Sequence, residues 1–322
     1  MAALPERGAP GLVDLHNITA GQLDGILEEE IIVWRERMNW DFRPSADLVR
    51  RFVRMHSLSG YALIAGDRVA GYSYFVCEEN KGLIGDLFVT RSLATIENEH
   101  LLLGATLEVL AGTPFVHRVE CQLMMLTSSL QRILPLPHQV TIHKRKFMTL
   151  DAAGIAALGP GKGAGRVQFE MWTEGCQDDA SRLIARAYSG HIDSQINDQY
   201  RTPAGARRFL GNIIQYPGCG SFFAPASVIA LDPRGGGLIG VCLSSLVSPE
   251  VGHITQVCVD PPVRGAGAGY ELLRQSLLAL ARHGCGAVSL TVTAANTAAV
   301  DLYDRMGFHT MREFGAYVWE GL

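Results

Sequence analysis

The stretch that most constrains this chain runs from Ile254 to Gly284, where strand, break, glycine turn and helix follow one another without a spacer. Ile254 to Val259 is a short apolar run, Asp260-Pro-Pro breaks it, and Arg264-Gly-Ala-Gly-Ala-Gly269 forms the turn. Tyr270 to His283 predicts a helix: Leu273, Leu277 and Leu280 recur at i, i+4 and i+7, Arg282 and His283 fill the last turn, and Gly284 stops it. This order aims several backbone N–H groups and a positive helix end at one point, which suits a phosphate. Glycine serves there because a Cβ would hold the ligand off the main chain and because such turns need positive φ. Tyr270 stands where G-x-G-x-x-G needs its last glycine, and no lysine follows the turn as a P-loop requires.

Downstream, Ala287 to Val292 reads as a buried strand, and Asn296 caps a short amphipathic helix ended by Gly307. The R-x-x-G-x-G of Arg264 to Gly269 resembles the acyl-CoA-binding motif of the GNAT superfamily of N-acetyltransferases. The N-x-x-A-x-x-L-Y-x-x-x-G-F running from Asn296 through Ala299 and Tyr303 to Phe308 resembles that family's second signature. The resemblance covers the last third of the chain and, more loosely, the strands before it.

The resemblance implies a set of roles. Main-chain groups of Val257, Cys258 and Val259 would pair with pantetheine where two parallel strands splay. Arg264, Gly265, Ala266, Gly267, Ala268 and Gly269 would hold the pyrophosphate, with Asn296 and Ala299 beside the pantetheine arm. Tyr303 would be the general acid that protonates the departing thiolate. His253 occupies the strand position where many GNAT enzymes carry a glutamate base. An imidazole can do that work at neutral pH, but a histidine at a strand entrance can equally cap or pack, and Glu250 and a water chain are alternatives. The polar loop Tyr188 to Arg201, with His191, Asp193 and Asp198, falls where this family binds acceptors. The implied reaction is direct transfer from acetyl-CoA to an amine of a small molecule or peptide in a ternary complex, without a metal. A non-catalytic acyl-CoA sensor and an aminoacyl or long-acyl transferase are the rival readings.

Composition bounds the rest. The 322 residues suit two domains, and a net charge of −4 gives no global pull towards nucleic acid or an anionic membrane. The basic run His143-Lys-Arg-Lys146 reads as a solvated strand edge. No apolar stretch approaches membrane-spanning length, and Met1 to Gly11 reads as a loose tail without a signal-peptide core. Seven scattered cysteines without a C-x-x-C pair fit a reducing cytoplasm, and Cys258 reads as a small buried hydrophobe. The chain is expected to work as a monomer or homodimer.

The two halves repeat one order. Helices over Thr19 to Arg37 and Leu48 to Met55, a hairpin around Gly66-Asp67, a strand from Gly82, a helix from Ile96 and a strand from Arg118 are matched by helices from Ala180 and Ala204, a hairpin around Pro233 to Gly237 and the motif region. Ile84 to Val89 aligns with Ile254 to Val259, and the same offset sets Ala94, Glu97 and Glu99 against Arg264, Gly267 and Gly269. Opposite Tyr303 stands roughly Leu134. The fold class expected is α/β (α+β), two tandem GNAT-like domains, each a mixed, mostly antiparallel sheet flanked by helices. Residues 1–150 would form a degenerate copy, 151–165 a flexible glycine-rich linker, and 166–322 the acetyl-CoA-binding domain.

Overall fold

A computed structural model describes residues 10–322; the expected tail lies outside the described residues as far as residue 9, and Gly11 already opens a strand. In chain order the first half carries β1 (Gly11–Asp14), α1 (Ala20–Met38), α2 (Arg43–Arg54), β2 (Ser59–Ala65), β3 (Arg68–Glu78), β4 (Lys81–Val89), α3 (Ile96–Gly112), β5 (Arg118–Gln122) and β6 (Val140–Asp151). The second carries α4 (Ala152–Ala156), β7 (Gln168–Met171), α5 (Gln177–Ala187), α6 (Asp193–Ile196), α7 (Pro203–Gln215), β8 (Ser221–Phe222), β9 (Val228–Leu231), β10 (Leu238–Ser248), β11 (Val251–Val259), α8 (Ala268–His283), β12 (Ala287–Thr293), α9 (Thr297–Arg305) and β13 (His309–Glu320).

Two compact units emerge. The first comprises the chain up to Arg37, Asp41–Lys144 and Phe314–Leu322; the second comprises Met38–Trp40 and Arg145–Glu313. These ends differ from the expected domain limits. The last strand of the first unit is β13, whose Ala316 to Glu320 pair antiparallel with Gln122 to Arg118. The last strand of the second is β6, whose Arg145 to Asp151 pair antiparallel with Thr293 to Ala287. Strand alternation reveals which face is buried, not which sheet a strand joins, so this assignment was invisible in the sequence. A fragment 166–322 would therefore lack a strand of its own sheet.

Within each unit the chain makes the same manoeuvre. In the first, β4 and β5 are parallel, paired from Lys81↔Arg118 to Ile84↔Cys121. In the second, β11 and β12 are parallel, paired from Val251↔Ala287 to Ile254↔Leu290. Both pairings stop where a bulge interrupts the neighbouring antiparallel ladder, between Tyr74 and Phe75 in one unit and between Leu243 and Ser244 in the other. A bulge bends and twists its strand, so Gln256 to Val259 turn away from β12 while staying hydrogen-bonded to β10. The expected alignment of Ile84 with Ile254 matches this shared geometry.

Alternation along the strands builds two cores in the second unit. Cys242, Ile254, Leu290 and Val292 pack with Leu273, Leu277 and Leu280 of α8 and with Val300 and Tyr303 of α9. Val241, Leu243 and Cys258 face the other way, against Leu183 and Ile184 of α5 and Leu210 of α7.

The glycine-rich segment expected to be a loose linker is instead ordered and docked. Asp151 caps α4 through the Gly154 N–H at 2.8 Å. Beyond it, Arg274 Nε donates to the Leu158 carbonyl at 3.0 Å, Tyr270 Oη to that of Gly159 at 2.8 Å, and the Gly161 N–H to the Glu271 carboxylate. Its glycines allow close approach rather than freedom: a Cβ on Gly163 would lie 2.7 Å from the Gly267 carbonyl oxygen.

Candidate functional site

The motif turn ends in a helix start that no side chain of the described residues caps. Gly265 and Gly267 hold φ of 78° and 89°, the left-handed region where a Cβ is costly. Gly267 is the N-cap of α8, and no side chain hydrogen-bonds there. The first amides of a helix have no partner within it, so those of α8 are free for an anion. Arg264 does not add its guanidinium to that cradle, because Nε and Nη2 donate to the carbonyls of Val259 (3.3 Å) and Ala187 (2.5 Å). It braces the turn from behind.

The first unit closes the same place from within. Thr95 caps α3 by accepting from the Asn98 N–H at 3.3 Å, and the Glu29 carboxylate accepts from the Arg91 N–H at 2.7 Å. Glu99, aligned with Gly269, is buried, paired with Arg132, and accepts from the Thr127 N–H at 3.0 Å. A pocket of ≈ 250 Å³ remains there, lined in part by Val33, Arg37, Leu87, Val89 and Met125. Space persists in the first copy, but its helix start carries the side-chain cap that α8 lacks. No helix answers α9 either, since the segment from Leu123 to Gln139 is a series of turns and Leu134 is core.

In the second unit, Val257 and Val259 lie on the run released by the splay. Their carbonyls accept from Tyr188 Oη at 3.3 Å and Arg264 Nε at 3.3 Å. Cys258 faces the core, as expected, and burial pushes its thiol up to about 12. Ala266, Ala268 and Gly269 follow through the turn; a Cβ on Gly269 would meet only Val259 Cγ2, at 3.5 Å. Asn296 caps α9 through the Ala299 N–H at 3.3 Å, and Ala299 packs on the core beside it.

Tyr303 is 6% exposed, and no described residue hydrogen-bonds its hydroxyl. Burial chiefly, and then the charges of nearby groups including Asp193, raise its pKa, so the phenol keeps its proton.

The two base candidates do not reach this place. His253 is 6% exposed, its Nδ1 lies 2.9 Å from Ser289 Oγ, and its ring packs against Trp40 (5.1 Å between centroids) and Phe147 (6.1 Å). Desolvation pushes its pKa down to about 3, leaving a neutral imidazole that takes up protons poorly. Glu250 sits in the exposed turn before β11, at the opposite end of that strand from the glycine turn. Both residues lie at the beginning of β11, whereas the glycine turn follows its C-terminal end.

What gathers there includes residues that sequence reasoning missed or left as a loop. Arg145 was read as part of a solvated edge; instead it lies on β6 opposite Thr293, with its side chain 13% exposed. Its Nη1 donates to Thr293 Oγ1 at 2.7 Å and to Asp193 Oδ1 at 3.2 Å. Tyr188 and Tyr200 stack at 4.6 Å, with His191 edge-on to Tyr188 at 5.2 Å, and Gln256 Nε2 donates to Tyr188 Oη at 3.0 Å. The loop 188–201 thereby touches both arms of the splay, β11 through Tyr188 and β12 through Asp193. Only an excess of hydrogen-bonding side chains in that loop signalled it. Among the described residues no cluster of metal-ligating side chains occurs, and no helix is long and apolar enough to cross a membrane.

Residues 194–308 match the Acetyltransferase (GNAT) family. Among curated relatives, the mycothiol acetyltransferase of Mycolicibacterium gilvum is 31% identical over 177 residues, 51% of this chain and 52% of that protein. That of Acidimicrobium ferrooxidans is 35% identical over 103 residues, 31% of this chain and 33% of that one. The chain thus spans about half, or less, of the length of these curated relatives. Among solved structures, a GCN5-related N-acetyltransferase from Sphaerobacter thermophilus superposes with a TM-score of 0.69 at 17% identity, covering 99% of this chain and 97% of that one. A tandem GNAT protein from the clavulanic acid biosynthesis pathway gives 0.65 at 16% identity, covering 98% and 99%. The chain shares the fold of these tandem GNAT structures throughout, and its sequence likeness to the GNAT family, a family that draws on acyl-CoA donors, lies in its second half.

Proposed function

We propose that the second unit transfers an acetyl group from acetyl-CoA directly to a primary amine, while the first unit, with its helix start capped and its signature helix absent, serves structure. The observation that carries this reading is the open end of β11. Pairing with β12 stops at Ile254, and the released run leads straight into a helix start that no side chain caps. A pantetheine arm fits the released edge as a surrogate strand, and a pyrophosphate fits the free amides beyond it. Of the expected cofactor residues, Val257, Cys258 and Val259 supply main chain, Gly265 to Gly269 the cradle, Asn296 and Ala299 the adjoining helix start. Arg264 acts by bracing.

Tyr303 is the acid in this reading. Its hydroxyl is protonated, unpartnered and on the helix that follows β12, so it can give a proton to the thiolate as the C–S bond breaks. The mycothiol acetyltransferase relatives make the amine acetylated in mycothiol formation the first acceptor to try. The experiment is thiol release from acetyl-CoA by the full chain against a panel of amines. Release that saturates in both substrates supports transfer. Acetyl-CoA binding without release by any amine supports the sensor, and release only from longer or aminoacyl donors supports that alternative.

A further inference from the structure

The transfer reading leaves the amine without a receiver once His253 and Glu250 are removed, and resting on that reading we propose that Asp193 binds the acceptor as its ammonium and accepts its proton. The argument begins with how the carboxylate is held. Oδ1 takes Arg145 Nη1 at 3.2 Å and the Thr293 hydroxyl. Among the described residues Oδ2 receives no hydrogen bond: His191 Nδ1 lies 3.5 Å away, and that nitrogen already accepts the Asp193 N–H at 3.2 Å. One oxygen is fixed by the scaffold and the other is open, in a side chain only 14% exposed. A surface ion pair has no need of this asymmetry, whereas a carboxylate that must meet a cation in one orientation does.

The surroundings suit a cation. The Tyr188–Tyr200 stack, with His191 edge-on, forms an aromatic wall beside Asp193, and an ammonium over such faces gains both quadrupole attraction and desolvation. Arg145 pairs with Asp193, and Thr293 anchors it at the end of β12, three residues before the Asn296 cap of the helix that bears Tyr303. The substrate class follows: a primary amine that arrives protonated, not a hydroxyl or a thiol.

The protons balance. Asp193 takes one proton from R–NH3+ and passes it to water, freeing the nitrogen lone pair to form the C–N bond at the thioester carbonyl. As the tetrahedral adduct collapses, the C–S bond breaks and the thiolate takes the Tyr303 proton. The nitrogen, still carrying two hydrogens and a positive charge, gives up one that restores Tyr303. The products are the amide, CoA thiol and one proton.

The test uses the full chain, acetyl-CoA, and the best wild-type acceptor among glucosamine, cysteine methyl ester and a lysyl peptide. Asp193→Asn should lower kcat/KM for the amine by about 100-fold or more, with the acetyl-CoA Kd within about twofold of wild type. Arg145→Met should lower kcat/KM for the amine by about tenfold or more, with the acetyl-CoA Kd again within about twofold, because Oδ1 loses the guanidinium that fixes the carboxylate, and Arg145→Lys should recover part of the loss. Asp193→Asn within threefold of wild type overturns the role, as does a parallel loss of acetyl-CoA affinity, which would mark the loop as structural. If Asp193→Asn fails to fold, an unaltered kcat/KM for the amine in Arg145→Met overturns it. Wild-type protein that releases no thiol with any amine overturns the transfer reading itself, a different result from active wild type with an indifferent Asp193→Asn.

Discussion

Substituting Gly269 with glutamate isolates the anion site from the fold. The first copy carries Glu99 at the aligned position, so the change imports a residue this architecture already holds. Gly269 lies in the first turn of α8, outside the positive-φ set, and a Cβ there meets only Val259 Cγ2 at an ordinary 3.5 Å. Replacing a helical glycine adds about 0.5–1 kcal/mol of stability, and an anion near a helix N-terminus adds about 0.3–1 kcal/mol. Binding moves the other way. A carboxylate about 6 Å from a diphosphate, at an effective dielectric of about 40, meets each of two charges at about 1.4 kcal/mol, or about 3 kcal/mol together. That is about 100-fold in Kd at low salt, reduced to about tenfold at physiological ionic strength by screening over about 8 Å. Calorimetric titration with acetyl-CoA at two salt concentrations, beside a thermal melt, reads both halves. An unchanged Kd in a variant as stable as wild type would refute the placement of the pyrophosphate. Gly267→Glu is a poorer probe: φ is 89° and its Cβ would stand 2.6 Å from the Gly163 nitrogen, so lost binding could reflect a displaced segment.

Three further outcomes follow from named groups. Tyr303→Phe should lower kcat by about 10²–10⁴-fold with acetyl-CoA affinity nearly intact, and should cost little stability, because the hydroxyl has no protein partner to orphan; full activity would leave the second signature a packing role. His253, held down to about 3 when folded against about 6.5 unfolded, contributes stability that is whole above about pH 6.5 and is lost as pH falls, at up to about 1.4 kcal/mol per unit; denaturant midpoints should show that slope flattened in His253→Met, and an equal slope would contradict the burial argument. In the first unit Asp86 is raised to about 6 by burial, beside a Glu30 also raised, so its ionisation costs stability as pH climbs from about 4 through 6. Asp86→Asn should therefore be more stable than wild type by about 1–3 kcal/mol at pH 8 and equal to it near pH 4, and an identical gain at both pH values would rule out titration as the cause.

The turn and helix start proposed to hold the cofactor were legible in the sequence because their logic is local. Leu273, Leu277 and Leu280 set the helix, Gly284 stopped it, and Gly265 and Gly267 marked a turn whose positive φ only glycine tolerates cheaply; all are near neighbours in the chain, and local sterics decide them. The cluster proposed to receive the amine was not legible. Arg145, Asp193, Thr293 and Tyr303 come from four separate segments, and nothing in a basic run or a polar loop announces that they converge. His253 sat at the expected strand position, yet whether an imidazole there is a base or a core residue depends on Trp40 and Phe147, which pack on it from distant parts of the chain. Gly161-Lys-Gly163 looked like slack because glycine lowers local order, whereas the fold uses it to lay one backbone on another. Short-range propensities and glycine stereochemistry fixed the elements and the turn. Which strand completes which sheet, and which side chains lose their water, were decided by tertiary packing, because pairing and desolvation depend on residues that the sequence keeps far apart.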